Sequence, residues 1–149
     1  MKSILGVHYA AAMSEVNKAL AKQWFEQVWN QKSEATIDRM FHLQRKSHGL
    51  PDGNSILVGP DAFKAFHRQV CGALPDIHVD IEDLLVEDDR VAVRWKASGT
   101  HLGDHFGFPA SGKKAVLTGS SFFVGKGGQI LECWNQMDLH SLFQRLQNP

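Results

Sequence analysis

The sequence has no excess of charge of either sign. Lys plus Arg and Asp plus Glu number 16 each among its 149 residues. A dedicated nucleic-acid-binding protein shows a basic excess or a basic stripe, and this sequence has neither, so we expect no nucleic-acid partner. Long apolar runs are also missing: no stretch approaches the roughly 18 residues that a membrane-spanning helix needs, so we expect no membrane partner.

Cysteine is scarce as well. The chain has two cysteines, Cys71 and Cys133. Neither belongs to a C-x-x-C or Cys/His pattern of the kind that binds zinc, so we expect no metal site. Two reduced thiols are typical of a cytoplasmic protein, and we expect that location.

The remaining composition is that of an ordinary globular protein. Apolar residues make up 43% of the chain and charged residues 21%, which excludes disordered and collagen-like sequences. A chain of this length forms one hydrophobic core. We therefore expect a single domain over residues 1–149, in which residues 1–13 form a loose N-terminal arm.

The spacing of apolar residues changes near Pro75. Before it, a period of 3.6 residues predicts three helices, and after it a period of 2 predicts strands. The helices are expected to begin near Ser14, Ser33 and Gly59, and a short one after Asp138. The strands are expected over residues 77–82, 91–98, 116–121 and 129–136. Residues 41–58 show neither period and are predicted to be irregular.

Helices followed by strands in meander order indicate an α+β fold. The helices must cover one face of the sheet, because a chain of this size cannot leave that face bare. Gly99 and Gly119 lie inside predicted strands, where glycine usually marks a bend or a bulge. A curved sheet covered by helices encloses a conical cavity, which is a common site for a small ligand.

Several short motifs follow one another in order over about residues 15–147. They are Trp24–Asn30, Gly59–Phe63, Leu74–Asp76, Asp89–Trp95, Gly99–Gly103, Gly107–Gly112, Gly127–Ile130, Glu132–Trp134 and Asp138. As an ordered set they resemble the SnoaL-like polyketide cyclases, a branch of the NTF2-like α+β barrels. The resemblance implies a cone-shaped barrel, with N-terminal helices packed on a strongly curved, mostly antiparallel sheet around a pocket. It also implies a homodimer or higher homo-oligomer formed through the sheet.

The resemblance further implies a chemistry. The founding members of the family close the last ring of an aromatic polyketide by intramolecular aldol condensation, with a cavity carboxylate as acid and base. They use no metal and no organic cofactor. We therefore expect a small apolar or aromatic, carbonyl-bearing ligand and no cofactor.

The sequence departs from the family at its catalytic position. The family's aspartate falls directly after the position of Trp134, where this chain has Asn135. An amide exchanges no proton at pH 7, although it donates and accepts hydrogen bonds. Strand alternation places Asn135 on one face with Leu131 and Cys133, which suits an apolar pocket. Trp134 lies on the other face, as an interface anchor or, alternatively, as a core residue.

Other residues complete the predicted site. The resemblance places a polar pocket residue near His48, which we assign as a catalytic base; a surface histidine is the alternative. Alternation and the resemblance together place Ser121 in the pocket, unless it is a solvated strand serine. His101 lies beside a glycine-rich connection that is predicted to form the pocket mouth. We assign substrate contacts to Ser121, His101, Leu131, Cys133, Trp24 and Asp138. For Asp138 the favoured alternative is a cap of the C-terminal helix.

Two functions remain open from the sequence. The first is a cofactor-independent cyclase or isomerase that abstracts a proton from a carbonyl compound, with His48 as base and Asn135 and Ser121 as hydrogen-bond partners. The second is a protein that binds a small ligand in the same pocket without chemistry. The missing carboxylate favours binding, and the histidine favours an enzyme.

Overall fold

The computed structural model describes residues 3–149 and has the predicted α+β architecture. Its helices are α1 (Ile4–Gln23), α2 (Glu34–Met40), α3 (Gly59–Ala73) and α4 (Leu139–Gln147), with a π-helical segment (Trp24–Asn30) directly after α1. Its strands are β1 (Phe41–His48), β2 (Ile56–Val58), β3 (His78–Glu87), β4 (Arg90–Thr100), β5 (Lys114–Lys126) and β6 (Gln129–Met137).

Helix α1 begins about ten residues earlier than the sequence suggested. Residues 4–13 were expected in a loose arm, but they are helical, because the Ser3 hydroxyl accepts a hydrogen bond from the Gly6 N–H and caps the helix. Three consecutive alanines at 10–12 favour continuing the helix through Ser14. Met1 and Lys2, the start of that expected arm, lie outside the described residues.

The aromatic end of this first helical stretch is wound as a π-helix. Its Gln31 N–H donates to the Glu26 carbonyl at 2.9 Å, one residue further than in an α-helix. The Val28 carbonyl receives its hydrogen bond from α3 instead, where His67 Nε2 lies 2.7 Å away. The segment buries Trp24, Phe25 and Val28 against the rest of the core.

The strands form one mixed sheet of six. Their spatial order is β2-β1-β6-β5-β4-β3. All neighbours are antiparallel except β1 and β6, which run parallel. The predicted meander of four strands is confirmed as β3 to β6, and the last strand in sequence lies inside the sheet because β1 pairs with its far edge.

The prediction of an irregular segment over residues 41–58 is wrong. Strands β1 and β2 occupy its two ends. The eight residues of β1, FHLQRKSH, are mostly polar and show no run of alternating apolar side chains. Its inward positions include Arg45 and Ser47, both buried, so the hydrophobic period that reveals most strands is absent here.

The glycines inside the strands mark no β-bulge, which was one of the two features predicted there. The pairing of β4 with β5 runs without a register shift through Gly99 and Gly119. A Cβ atom at Gly119 would collide with the Trp95 ring, so glycine here leaves room for the indole beside the neighbouring strand. The shift between β5 and β6 occurs at Val124 and Gly125 instead.

The helices cover the inner face of the sheet. The buried core joins the end of α1 and the π-helical segment to α3, α4 and the inward side chains of β3 to β6. In residues 3–149 no helix is both long enough and apolar enough to cross a membrane.

Candidate functional site

A cavity lies between the covering helices and the inner face of the sheet. The space in it that the centre of a water molecule can occupy is about 80 Å³, enough for several waters or a small ring compound. Its walls are mainly apolar and rich in aromatic rings. They include Trp24, Phe25, Trp29, Phe63, Trp95 and Phe123. The predicted contact residue Trp24 is therefore part of the wall.

Arg45 of β1 lines this cavity and was missed by the sequence reasoning. Its side chain is 1% exposed. Nε donates to the Ser47 hydroxyl at 3.2 Å, and Nη1 is buried without a hydrogen-bond partner. The guanidinium lies 3.8 Å from the Phe41 ring centre and 4.7 Å from that of Trp24, close enough for cation–π attraction.

Within residues 3–149 no acidic side chain compensates the charge of Arg45. Among the described residues, the cavity wall contains no Asp or Glu and no second basic side chain. Burial lowers the pKa of Arg45 to about 10, because the charged form has lost its water. The guanidinium is still a cation at neutral pH, held in an apolar wall by aromatic faces and one hydroxyl.

A chain of hydrogen bonds crosses the sheet beside the cavity. Trp95 Nε1 donates to Ser121 Oγ at 3.1 Å, and that hydroxyl donates to Asn135 Oδ1 at 2.8 Å. Asn135 Nδ2 then donates to the His48 carbonyl at 3.1 Å. Trp95, Ser121 and Asn135 line the cavity, as the sequence predicted for the last two. The amide keeps one N–H free for a further acceptor.

Cys133 completes the polar part of the wall. Its thiol is buried beside Arg45, and Sγ lies 3.5 Å from Asn135 Oδ1. Burial raises the pKa of the thiol, and the Arg45 charge only partly opposes this. Cys133 is therefore a neutral thiol at pH 7, at the cavity position that alternation predicted.

Leu131 does not line the cavity, contrary to the prediction. The register between β5 and β6 shifts at Val124, which pairs with Glu132, while Gly125 pairs with Ile130. Leu131 is the additional residue of this bulge, so strict alternation fails there. Ile130 takes the inward position and is 1% exposed.

His48 lies on the outer face of the sheet, so its assignment as a cavity base is wrong. It pairs with Trp134 in the parallel ladder, and paired residues project from the same face. The imidazole stacks on the Trp134 ring with 5.3 Å between ring centres, and its Nε2 lies 3.4 Å from Glu132. Only the His48 backbone carbonyl reaches the hydrogen-bond chain.

His101 and Asp138 also lie outside the cavity wall. His101 is fully buried, and its Nδ1 accepts a hydrogen bond from the Ser111 N–H at 3.0 Å, which ties down the glycine-rich connection. Asp138 caps α4 by accepting from the N–H and the hydroxyl of Ser141. Those two hydrogen bonds hold the pKa of the Asp138 carboxyl below its usual value. Both residues therefore fix local structure.

In residues 3–149 no three His, Cys, Asp or Glu side chains come together as a group able to bind a metal ion. The polar groups at the cavity include Arg45, Ser121, Asn135, the Cys133 thiol and the Trp95 N–H. This arrangement offers hydrogen-bond donors and one positive charge to a ligand.

Solved structures with the same fold are similar over almost their whole length. A candidate SnoaL-like polyketide cyclase from Jannaschia sp. CCS1 is 21% identical with a TM-score of 0.82, covering 92% of this chain and 95% of that one. TsrD from Streptomyces laurentii is 23% identical with a TM-score of 0.75, covering 89% and 96%. A candidate polyketide cyclase from Acidithiobacillus ferrooxidans is 24% identical with a TM-score of 0.73, covering 89% and 94%.

The fold and the cavity define an NTF2-like α+β protein with a curved, open sheet around a central pocket. Within that class, the sequence profile of the SnoaL-like polyketide cyclases matches residues 19–146. The chain belongs to the SnoaL-like polyketide cyclase family. No curated protein matches its sequence.

Proposed function

We propose that this chain binds a small, largely apolar, carbonyl-bearing compound in the cavity and performs no acid–base chemistry on it. The observation that carries the proposal is the composition of the wall. Among the described residues, it includes no carboxylate and no imidazole, while aromatic and aliphatic side chains form most of its surface. A general base must lie within hydrogen-bond reach of the proton it removes, and His48 is on the opposite face.

The polar groups of the wall suit recognition of a carbonyl. The free N–H of Asn135 is a donor to a carbonyl oxygen, and the Ser121 hydroxyl holds the Asn135 side chain in place. The apolar walls favour an apolar skeleton, at about 25 cal/mol for each Å² removed from water. Such a site orients its ligand through few polar contacts and gains affinity from burial.

A cyclase or isomerase is the second candidate, and family membership favours it. In an aldol closure a base removes a proton next to one carbonyl, the resulting enolate carbon bonds to a second carbonyl carbon, and the new alkoxide takes up a proton. Arg45 and Asn135 are suitable donors to the enolate oxygen. The base is the difficulty: Cys133 exchanges protons, but its raised pKa leaves little thiolate at pH 7.

A combined binding and turnover assay separates the two functions. The probe is an anthraquinone-type polyketide ester, with binding followed by tryptophan fluorescence and ring closure by absorbance. We expect the wild type to bind the ester without turnover. We expect Asn135→Asp, which restores a carboxylate at the family's position, to gain measurable ring closure. His48→Ala should behave like the wild type because its ring faces away.

Other outcomes decide against this proposal. Wild-type turnover that survives His48→Ala and disappears in Cys133→Ser would establish the second candidate, with Cys133 as the base. If neither the wild type nor Asn135→Asp binds the ester, the proposal of a carbonyl-bearing ligand is wrong.

A further inference from the structure

We propose that Arg45 anchors an oxyanion of the ligand, so that the cavity selects small aromatic or alicyclic monoanions over their neutral analogues. The inference rests on the proposed function, since it takes the cavity as the binding site. It goes beyond that function by naming the chemical class of the ligand and the residue that determines it.

The first support is a positive charge that no residue in the described part of the chain neutralises. Arg45 is 1% exposed, and Nη1 has no hydrogen-bond partner among the described residues. Buried charges are normally paired, because an isolated ion loses its hydration without recovering it. The carboxylate of β6, on Glu132, faces His48 on the outer side of the sheet.

The neighbouring thiol does not supply the missing negative charge. Cys133 lies beside the guanidinium, but burial raises its pKa, so it is neutral under physiological conditions. Cation–π contacts with Phe41 and Trp24 recover part of the lost hydration but bring no negative charge. A partner from outside the chain is therefore what completes this site.

The second support is the way in which the guanidinium is held. Ser47 is fully buried and accepts from Nε at 3.2 Å, while aromatic rings cover the guanidinium plane. The side chain is thereby fixed, and the unpartnered Nη1 remains for an acceptor. A fixed donor with no internal partner is typical of a site prepared for a charged ligand group.

The surroundings narrow the ligand class. One guanidinium balances one negative charge, so a carboxylate or an ionised phenol or enol fits, and a phosphate dianion does not. The apolar walls require the rest of the molecule to be a ring or hydrocarbon skeleton. Asn135 adds a donor for a second oxygen on the same molecule.

Matched acids and neutral analogues test the inference on the full chain. The probes are 2-naphthoate, methyl 2-naphthoate and 2-naphthol, titrated near pH 7 with calorimetry and tryptophan fluorescence. For the wild type we expect 2-naphthoate to bind at least about 10-fold more tightly than its methyl ester, the effect of one charge-assisted hydrogen bond. Titration with 2-naphthol, whose ionisation is followed by absorbance, shows whether the site binds an ionised phenol as well as a carboxylate.

Variants show whether Arg45 is responsible. We expect Arg45→Met to weaken 2-naphthoate about 10- to 100-fold and leave the ester within about twofold, with Arg45→Lys in between. Arg90→Met is the matched control, because Arg90 is exposed at the edge of the hairpin turn and its one ion pair within residues 3–149 is with Asp89. Its binding should equal that of the wild type.

The outcomes of these titrations are separable. Tighter binding of 2-naphthoate, or of 2-naphthol in its ionised form, than of the ester, lost in Arg45→Met, supports the inference. Equal wild-type affinity for acids and ester overturns the inference and leaves the proposed function standing. If the wild type binds none of the three probes, the proposed function fails and the inference fails with it. The wild-type comparison decides even if Arg45→Met does not fold.

Discussion

At position 45 the chain keeps a charged side chain where an apolar one of similar length would pack. Arg45→Met removes a buried charge that has no ion-pair partner among the described residues, at the loss of one hydrogen bond to Ser47. Replacing buried ions with hydrophobic residues of similar size is often stabilising. We expect the free energy of unfolding of the ligand-free protein to rise by about 1–3 kcal/mol.

Urea denaturation of Arg45→Met checks this, with Arg90→Met as the exposed control that should stay within about 0.5 kcal/mol of the wild type. A loss of several kcal/mol in Arg45→Met would show instead that the guanidinium holds the aromatic residues around it together.

The hydrogen bonds of Asn135 also contribute to the stability of the fold. Asn135→Leu keeps the volume but leaves the Ser121 hydroxyl without its acceptor and the His48 carbonyl without its donor. The loss of these two part-buried hydrogen bonds costs roughly 1–3 kcal/mol in total, while the Ser121 hydroxyl still accepts from Trp95 Nε1. Thermal and urea unfolding should show this loss, and Gln136→Leu, on the exposed face of the same strand, should show little. Equal stability of the two variants would contradict the hydrogen-bond chain.

Some site residues were predictable from the sequence, and others were not. Alternation along a regular strand placed Cys133, Asn135 and Ser121 at the cavity. It failed for Leu131, because a bulge is invisible to a strict period of 2. The assignment of His48 failed for a different reason: it assumed a loop, whereas a strand with fixed register turns that side chain outward. Whether any of these residues contacts a ligand stays a prediction.

Among the elements, α3 and the π-helical segment are joined through His67. Its Nε2 donates to the Val28 carbonyl, and its ring packs 5.0 Å from that of Trp29. Burial lowers the pKa of His67 below its ordinary value of 6.5. The folded protein therefore holds His67 neutral at a pH where the unfolded chain already binds a proton.

This difference in the protonation of His67 between the folded and unfolded chains predicts that acid destabilises the protein. The contribution of neutral His67 to the free energy of unfolding is fully present above about pH 6.5. It is lost as the pH falls below that value, because protonation of His67 is favoured in the unfolded chain. The slope is at most about 1.4 kcal/mol per pH unit. Urea unfolding between pH 7.5 and 5 should show a shallower dependence in His67→Gln than in the wild type. His140→Gln, an exposed change, should keep the wild-type slope.

Strand β1 explains why the sheet was only partly predicted. Helices α2 and α3 and strands β3 to β6 show clear apolar periods, so the sequence revealed them. In β1 the inward positions are used by Arg45 and Ser47, and polar residues face outward. The residues that give the cavity its charge are the same ones that remove the hydrophobic pattern, so sequence patterns missed the strand and the site together.

On the scale of the whole molecule, the outer face of the sheet has an apolar row. The row contains one residue from each of the four neighbouring strands β3 to β6, each paired with the next across the sheet: Leu85, Ala92, Phe122 and Trp134. Leu85 is 72% exposed, Phe122 40% and Trp134 37%. Large aromatic side chains in such a row are typical anchors of protein interfaces. We therefore propose that two copies of the chain associate through this face.

Trp134→Glu tests the association. A carboxylate in the middle of an apolar interface loses its hydration without a partner, so we expect the dimer to weaken by 100-fold or more. Sedimentation velocity over a range of concentrations measures this. Leu102→Glu, at an exposed apolar residue away from the row, is the control and should sediment like the wild type. A wild type that sediments as a monomer at all concentrations would refute the proposal.

The position of β6 in the sheet determines when β1 can be fully paired during synthesis of the chain. It is the last strand in sequence, yet it lies between β1 and β5. During synthesis β1 has no neighbour on that side until residues 129–137 have left the ribosome. An unpaired strand invites aggregation, and charged or polar residues such as Gln44 and Lys46 discourage it. The polar sequence of β1 therefore suits a strand that stays unpaired on this side until β6 has been synthesised.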